Sequence, residues 1–212
     1  GIYLAEYAKK GLLTNFIRTC IEILSSLPSV VVGLFGYLIF VVQFGYGFSI
    51  LSGALALTVF NLPQMTRNVE DSLRHVHHTQ REAGLALGLS RWETVLHVVI
   101  PEALPGIVTG IVLASGRIFG EAAALIYTAG QSAPALDWSN WNPLSVTSPI
   151  SIFRQSETLA VHIWKVNSEG TIPDATQVSA GSAAILLIFI LLFNLSARYI
   201  GKKLHAKMTS AA

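Results

Sequence analysis

The sequence predicts an all-α, polytopic membrane bundle, and three observations carry that prediction. Hydrophobic residues make up 52% of the 212-residue chain and charged ones only 12%, where a soluble domain carries about 25% charged residues. Four stretches are apolar enough to cross a bilayer, which needs roughly 20 helical residues. Lysine and arginine crowd the connections that would share one side of that bilayer. The formal charge of +2 is too small to imply nucleic acid as a partner. Cys20 is the only cysteine, so no internal disulfide is expected, and no metal-ligand spacing surrounds it. The first residue is glycine and no charged leader precedes the body, so the start reads as truncated or processed.

The first predicted span covers residues 23–44 and contains Pro28. The second, 49–65, is short, and Pro63 near its end should bend or stop it. Gly45, Tyr46 and Gly47 are too few to do more than turn the chain, so these two spans form a helical hairpin. In the first span, Gly33 and Gly36 suit close helix packing. The third span, 107–129, is entered through Pro101 and Pro105, and the fourth is 180–199. Placing the 66–106 connection in the cytoplasm fixes every other side. That side then holds Lys9, Lys10, Arg18, Arg67, Arg74, Arg81, Arg91, Arg198, Lys202, Lys203 and Lys207. The outer side holds only Arg154 and Lys165, so the basic residues predict a cytoplasmic C-terminus. The outer connection, 130–179, carries Asp137, Glu157, Glu169 and Asp174 together with Trp138, Trp141 and Trp164. Its tryptophans suit the headgroup level, and "ISIFRQSETLAVHIWKV" is either a surface helix or an ordered loop.

Two segments stand apart from this oily pattern. In the cytoplasmic connection, Glu82, Ala83, Gly84 and the residues up to Gly88 form a small-residue helix. Gly88 suits a helix terminus, where positive φ or close backbone approach calls for glycine. Arg81, Arg91 and Trp92 flank it, so the segment is either an amphipathic surface helix or a docking helix for another protein. His75, His77 and His78 are close by, but their spacing fits no zinc site and reads as a solvated cluster.

The second segment is "GRIFGEAAAL", where Arg117 and Glu121 interrupt the third span. At 1.5 Å per residue Arg117 lies roughly 15 Å, and Glu121 roughly 21 Å, beyond Ile107. An isolated charge at the centre of a span costs about 2.5–3.5 kcal/mol, so both should face protein or water. Being four apart, they share one helix face and can pair. Gly106, Gly110 and Ala114, and then Gly116 and Gly120, recur at the four-residue spacing that lets helices approach. A buried ion pair that holds helices together therefore competes with an anion pathway. For the latter, Arg117 offers a planar fork to an oxyanion and Glu121 holds the guanidinium in place.

The cytoplasmic segment resembles the EAA motif of ABC-importer permeases. Glu82 and Ala83 are followed by Gly84 in place of the second alanine, Gly88 stands at the expected step, and Val98, Val99, Ile100 and Pro101 replace the usual ending. "GIYLAEYA", "LPSVVVGLFGY" and "GRIFGEAAALIYTAG" are similar to the phosphate-permease (PstA) family of binding-protein-dependent ABC importers. The resemblance covers nearly the whole chain and implies a single permease domain over 1–212 with the MetI-like, type I importer fold. It also implies that two spans normally preceding "GIYLAEY" are missing. Its functional implications are import of inorganic phosphate, with Arg117 and Glu121 as pathway residues. Arg81, Glu82, Ala83, Gly84, Gly88, Arg91 and Trp92 would meet a cytoplasmic ATPase. The implied partners are a second permease, two ATPase copies, an extracytoplasmic phosphate-binding protein and membrane lipid. No Gly-x-x-x-x-Gly-Lys-Ser/Thr loop occurs, so no cofactor is expected on this chain and ATP would be used by the partner subunit. A permease for another oxyanion or nutrient, a secondary transporter and an assembly protein remain as alternatives.

Overall fold

The structure, a computed structural model, describes residues 1–9, 11–170 and 173–209. Lys10 and the side chain of Lys207, both in the predicted basic set, lie outside the described residues. Every regular element among the described residues is a helix. Helix α1 (Ile2–Glu6) precedes α2 (Leu12–Ser26), and α3 (Ser29–Gly36) runs on as a π-helix over Tyr37–Gln43. Next come α4 (Ile50–Arg74), α5 (His78–Ala86) and α6 (Arg91–Thr94), which passes through π-helical Val95–Val99 into α7 (Ile100–Gly120). The chain ends with α8 (Ala123–Thr128), α9 (Leu159–Glu169) and α10 (Ala175–Thr209).

These helices form two compact units. One contains residues 1–25, 62–116 and the chain from Leu191 onward. Its core is Leu73, Val76, Val99 and Ala103, with Ala5, Val69, Ile100 and Ile107 packed around it. Small residues set the spacing of α4 and α7. A Cβ on Gly106 would stand 2.7 Å from Ser72 Oγ, and one on Gly110 would stand 3.0 Å from Asn68 Cβ. The glycine spacing of the third span is thus a helix contact at these two positions. A Cβ on Gly120 would meet nothing within 4 Å among the described residues, so that position opens into space.

The other unit contains Ser26–Asn61 and Arg117–Ile190. Gly33 and Gly36 are packing positions here: a Cβ on Gly33 would stand 2.8 Å from Ala124 Cα, and one on Gly36 would meet Ala56 and Thr128, both at 2.9 Å. Leu125, Ala129 and Val161 form the core. The first turn of α4 would leave its amides without partners. The long connection supplies them, because the Ile50 and Leu51 amides donate to the carbonyls of Arg154 and Ile152, each at 2.9 Å. Of the "ISIFRQSETLAVHIWKV" segment, only the part from Leu159 is helical. Thr158 Oγ1 caps it by accepting from the Val161 amide, and Val161 is fully buried.

The helices depart from the predicted spans in identifiable ways. Among the described residues two are long and apolar enough to cross a membrane, Arg91–Gly120 with 30 residues and Ala175–Lys203 with 29. A third appears if Leu12–Ser26 and Ser29–Gln43 count as one broken span. Four were predicted. The first predicted span is divided at Leu27–Pro28, since the residue before a proline avoids the helical region. The second begins as predicted but continues through Pro63 to Arg74, and Asn61, Gln64 and Arg67 dilute its apolar character. The third starts earlier than predicted, and the two non-helical residues Glu121 and Ala122 interrupt it. Only 6% of the most apolar window of α10 is buried within the chain, and a helix apolar on every face needs lipid or protein around it.

Candidate functional site

The interruption after Gly120 decides where Arg117 and Glu121 point. Arg117 lies in the last turn of α7, and its guanidinium carbon sits 4.2 Å from the centroid of the Phe60 ring. Phe60 is only 3% exposed, whereas Arg117 is an exposed residue. A cation on an aromatic face gains about 0.5–2 kcal/mol. Glu121 is buried, and its Oε1 accepts from the Ala124 amide at 3.3 Å. That amide belongs to the first turn of α8, one of the donors a helix start leaves unsatisfied. The expectation that both charges share one face of a continuous helix is therefore corrected. Gly120 ends α7, and Glu121 lies beyond it, where it accepts from the first turn of α8. Phe60 was missed by the sequence, since one phenylalanine in an oily helix carries no signal of its own.

The second site is the α5–α6 hairpin. Gly84 is buried, and a Cβ there would stand 2.8 Å from Thr94 Cγ2, so glycine lets α5 pack against α6. Gly88 has φ +84°, the left-handed conformation predicted for it, and closes α5. Ser90 caps α6 reciprocally: its Oγ accepts from the Glu93 amide at 3.3 Å, and its own amide donates to Glu93 Oε2 at 2.7 Å. Glu82, Ala83, Leu87 and Trp92 are exposed on the outside of this hairpin, Leu87 at 84%.

Arg81 departs from its expected place on that outer face. Its Nη2 donates to Glu6 Oε1 and to the Leu73 carbonyl, each at 2.7 Å. Nη1 donates to the Val76 carbonyl at 2.5 Å, and Nε donates to Glu6 Oε2 at 3.3 Å. Arg81 thus joins α1 and the end of α4 to α5, and this geometry leaves few donors for another protein. Arg91 stays exposed but leans on α1, donating to the Glu6 carbonyl at 3.2 Å and lying 5.6 Å from the Tyr7 ring centroid. Glu6 and Tyr7 were not predicted as functional. A lone carboxylate in the apolar "IYLAEYA" was the available signal.

The family model described as "Binding-protein-dependent transport system inner membrane component" matches residues 1–210. The chain belongs to that family. It is therefore a permease component of the ABC-importer type, a family in which the ATPase is a separate subunit. Among similar family members, "Probable ABC transporter permease protein YqgI" of Bacillus subtilis is 57% identical over 210 residues, which are 99% of this chain and 71% of that protein. "Phosphate transport system permease protein PstA" of Yersinia pestis is 38% identical over 97% of this chain and 65% of its own length. The PstA 2 protein of Mycobacterium bovis is 37% identical over 91% of this chain. The chain spans 60% of that protein's length, so it covers less than two thirds of the phosphate permeases it matches. A crystal structure of an inward-facing MetNI methionine ABC transporter superposes with a TM-score of 0.69 at 18% identity, covering 96% of this chain and 83% of that one. The fold is thus the all-α, MetI-like permease fold predicted from the sequence.

Proposed function

We propose that this permease forms one half of the translocation pathway of an ATP-driven importer of inorganic phosphate. The observation that carries an oxyanion as substrate is Arg117, an exposed guanidinium held over buried Phe60 on a helix apolar enough to cross a membrane. A guanidinium is well matched to a phosphate oxyanion, because its fork donates two parallel hydrogen bonds. The similarity to phosphate permeases of Yersinia pestis and Mycobacterium bovis supports the same substrate. Glu121 acts here as a positioning group: it fixes the start of α8 and tempers the positive field, so that a bound anion can leave again. A second permease completes the pathway, and an extracytoplasmic binding protein delivers phosphate to it.

Energy reaches the pathway through the 66–106 connection, which this reading places in the cytoplasm with the C-terminus. The outer face of α5, with Glu82, Ala83 and Leu87, and neighbouring Trp92 dock on one of two ATPase subunits, which bind the ATP. In vesicles containing the assembled transporter, Arg117→Gln should lower ATP-dependent phosphate uptake by about tenfold to a hundredfold, the worth of one charge-assisted hydrogen bond or a little more. The ATPase should still co-purify in normal amount. Undiminished uptake by this variant would remove Arg117 from the pathway, whereas loss of the assembled complex would favour a structural ion pair.

A further inference from the structure

We propose that the Glu6–Arg81 pair is a latch that passes movement of α5 to α2, making the N-terminal segment a transmission element. This inference rests on the reading of α5 as the ATPase-docking helix. Both side chains are largely buried, 10% exposed for Glu6 and 18% for Arg81, and they meet at 2.7 Å. Arg81 is a fork with four bonds, two to the Glu6 carboxylate and two to the Leu73 and Val76 carbonyls near the end of α4. The Glu6 backbone is gripped as well, by Arg91 from the other arm of the hairpin. Displacement of α5 or α6 therefore pulls on α1 through three charged side chains rather than through a flexible loop.

The far side of α1 is packed on the core and joined to α2 by one longer bond. Leu4 is 8% exposed, and Ala5 packs on the Leu73–Val99 core. Arg18 of α2 donates to the Leu4 carbonyl at 3.4 Å and to Glu70 at 2.9 Å. Only Tyr7 to Gly11 separate α1 from α2 in the chain. The open outer face of α5 and its anchored inner face form the two ends of a lever, and α1 is its output. Glu6 is a positioning residue, acting on transport only through Arg81 and α2.

The test uses the complete transporter in lipid nanodiscs, with Cys20 replaced by serine. Spin labels are placed at Leu87→Cys on the hairpin and at Leu13→Cys on α2, both exposed positions. ATP with vanadate should change the label spectrum at both sites in the otherwise unaltered protein. In Glu6→Gln the Leu87 response should persist while the Leu13 response falls by about fivefold or more, the low end of a coupling energy between sites. Arg81→Lys keeps the charge but loses the fork, so it should show the same split if Glu6→Gln assembles poorly. A Leu13 response that survives both variants overturns the latch. Equal loss at both labels with a lower melting temperature also overturns it, because the pair is then only structural. A Leu87 label that ignores nucleotide in the unaltered protein would overturn the docking assignment itself. Uptake of labelled inorganic phosphate is measured separately, and its absence bears on the substrate alone.

Discussion

At the scale of single residues, side-chain geometry separates positions that the sequence could only group. Arg81, Arg91 and Trp92 all flank the small-residue helix, yet both arginines bond to Glu6, Arg81 from a largely buried place and Arg91 from an exposed one, while Trp92 is 57% exposed. Chain position cannot reveal this, because the partner Glu6 lies 75 residues away. The left-handed Gly88 was legible, since a glycine closing a helix has a local cause. Gly84 was legible only as a departure from the expected alanine, and its reason is the methyl of Thr94. Gly84→Ala should therefore destabilise the protein by about 1–3 kcal/mol through overpacking. Thr94→Ser, which removes that methyl and keeps the hydroxyl bonded to the Ser90 carbonyl, should restore most of the loss in a thermal melt. Phe60→Leu should weaken phosphate uptake by about threefold to thirtyfold, the equivalent of the cation–π contact, without changing expression.

At the scale of elements, hydrophobic runs located the helices but not their breaks. Pro28 divides the first predicted span, whereas Pro63 is carried inside a 25-residue helix. The same residue type acts differently because only surrounding packing decides whether a helix can continue past a missing N–H. The break at Glu121 left no proline signal at all, and it removed the shared helix face inferred from the four-residue spacing. Polar side chains hold the turns near the start of the 130–179 connection. Asp137 Oδ1 accepts from both the hydroxyl and the amide of Ser139, at 2.5 and 2.9 Å, and these bonds hold its carboxyl below the ordinary value of 3.8. A lowered carboxylate pKa contributes stability that is complete above the ordinary value and lost as pH falls through the lowered one. The emission of Trp138 and Trp141 should accordingly stay constant on acidification to about pH 4 and change only below it. Asp137→Asn should abolish that acid transition.

At the scale of the whole molecule, composition was sufficient for the membrane class, because an apolar 29-residue helix with 6% of its core window buried has no stable place in water. The basic-residue asymmetry makes an independent statement about sidedness. Cysteines at Leu87 and at Leu144, 84% and 74% exposed, should react with impermeant maleimide from opposite sides of the membrane, Leu87 from the cytoplasmic side. Labelling of both from one side would reverse the placement of the hairpin. The family was legible through the resemblance of the Glu82–Pro101 segment to the EAA motif, whereas its spacing alone left a surface helix equally open. Substrate was not legible in that way, because one guanidinium suits many oxyanions. The most direct measurement is uptake into vesicles containing the complete transporter, with labelled phosphate outside and unlabelled competitors added in turn. The account predicts ATP-dependent accumulation that unlabelled phosphate suppresses and that sulfate or methionine leaves intact. Accumulation of one of those solutes, with phosphate neither carried nor competing, would contradict it.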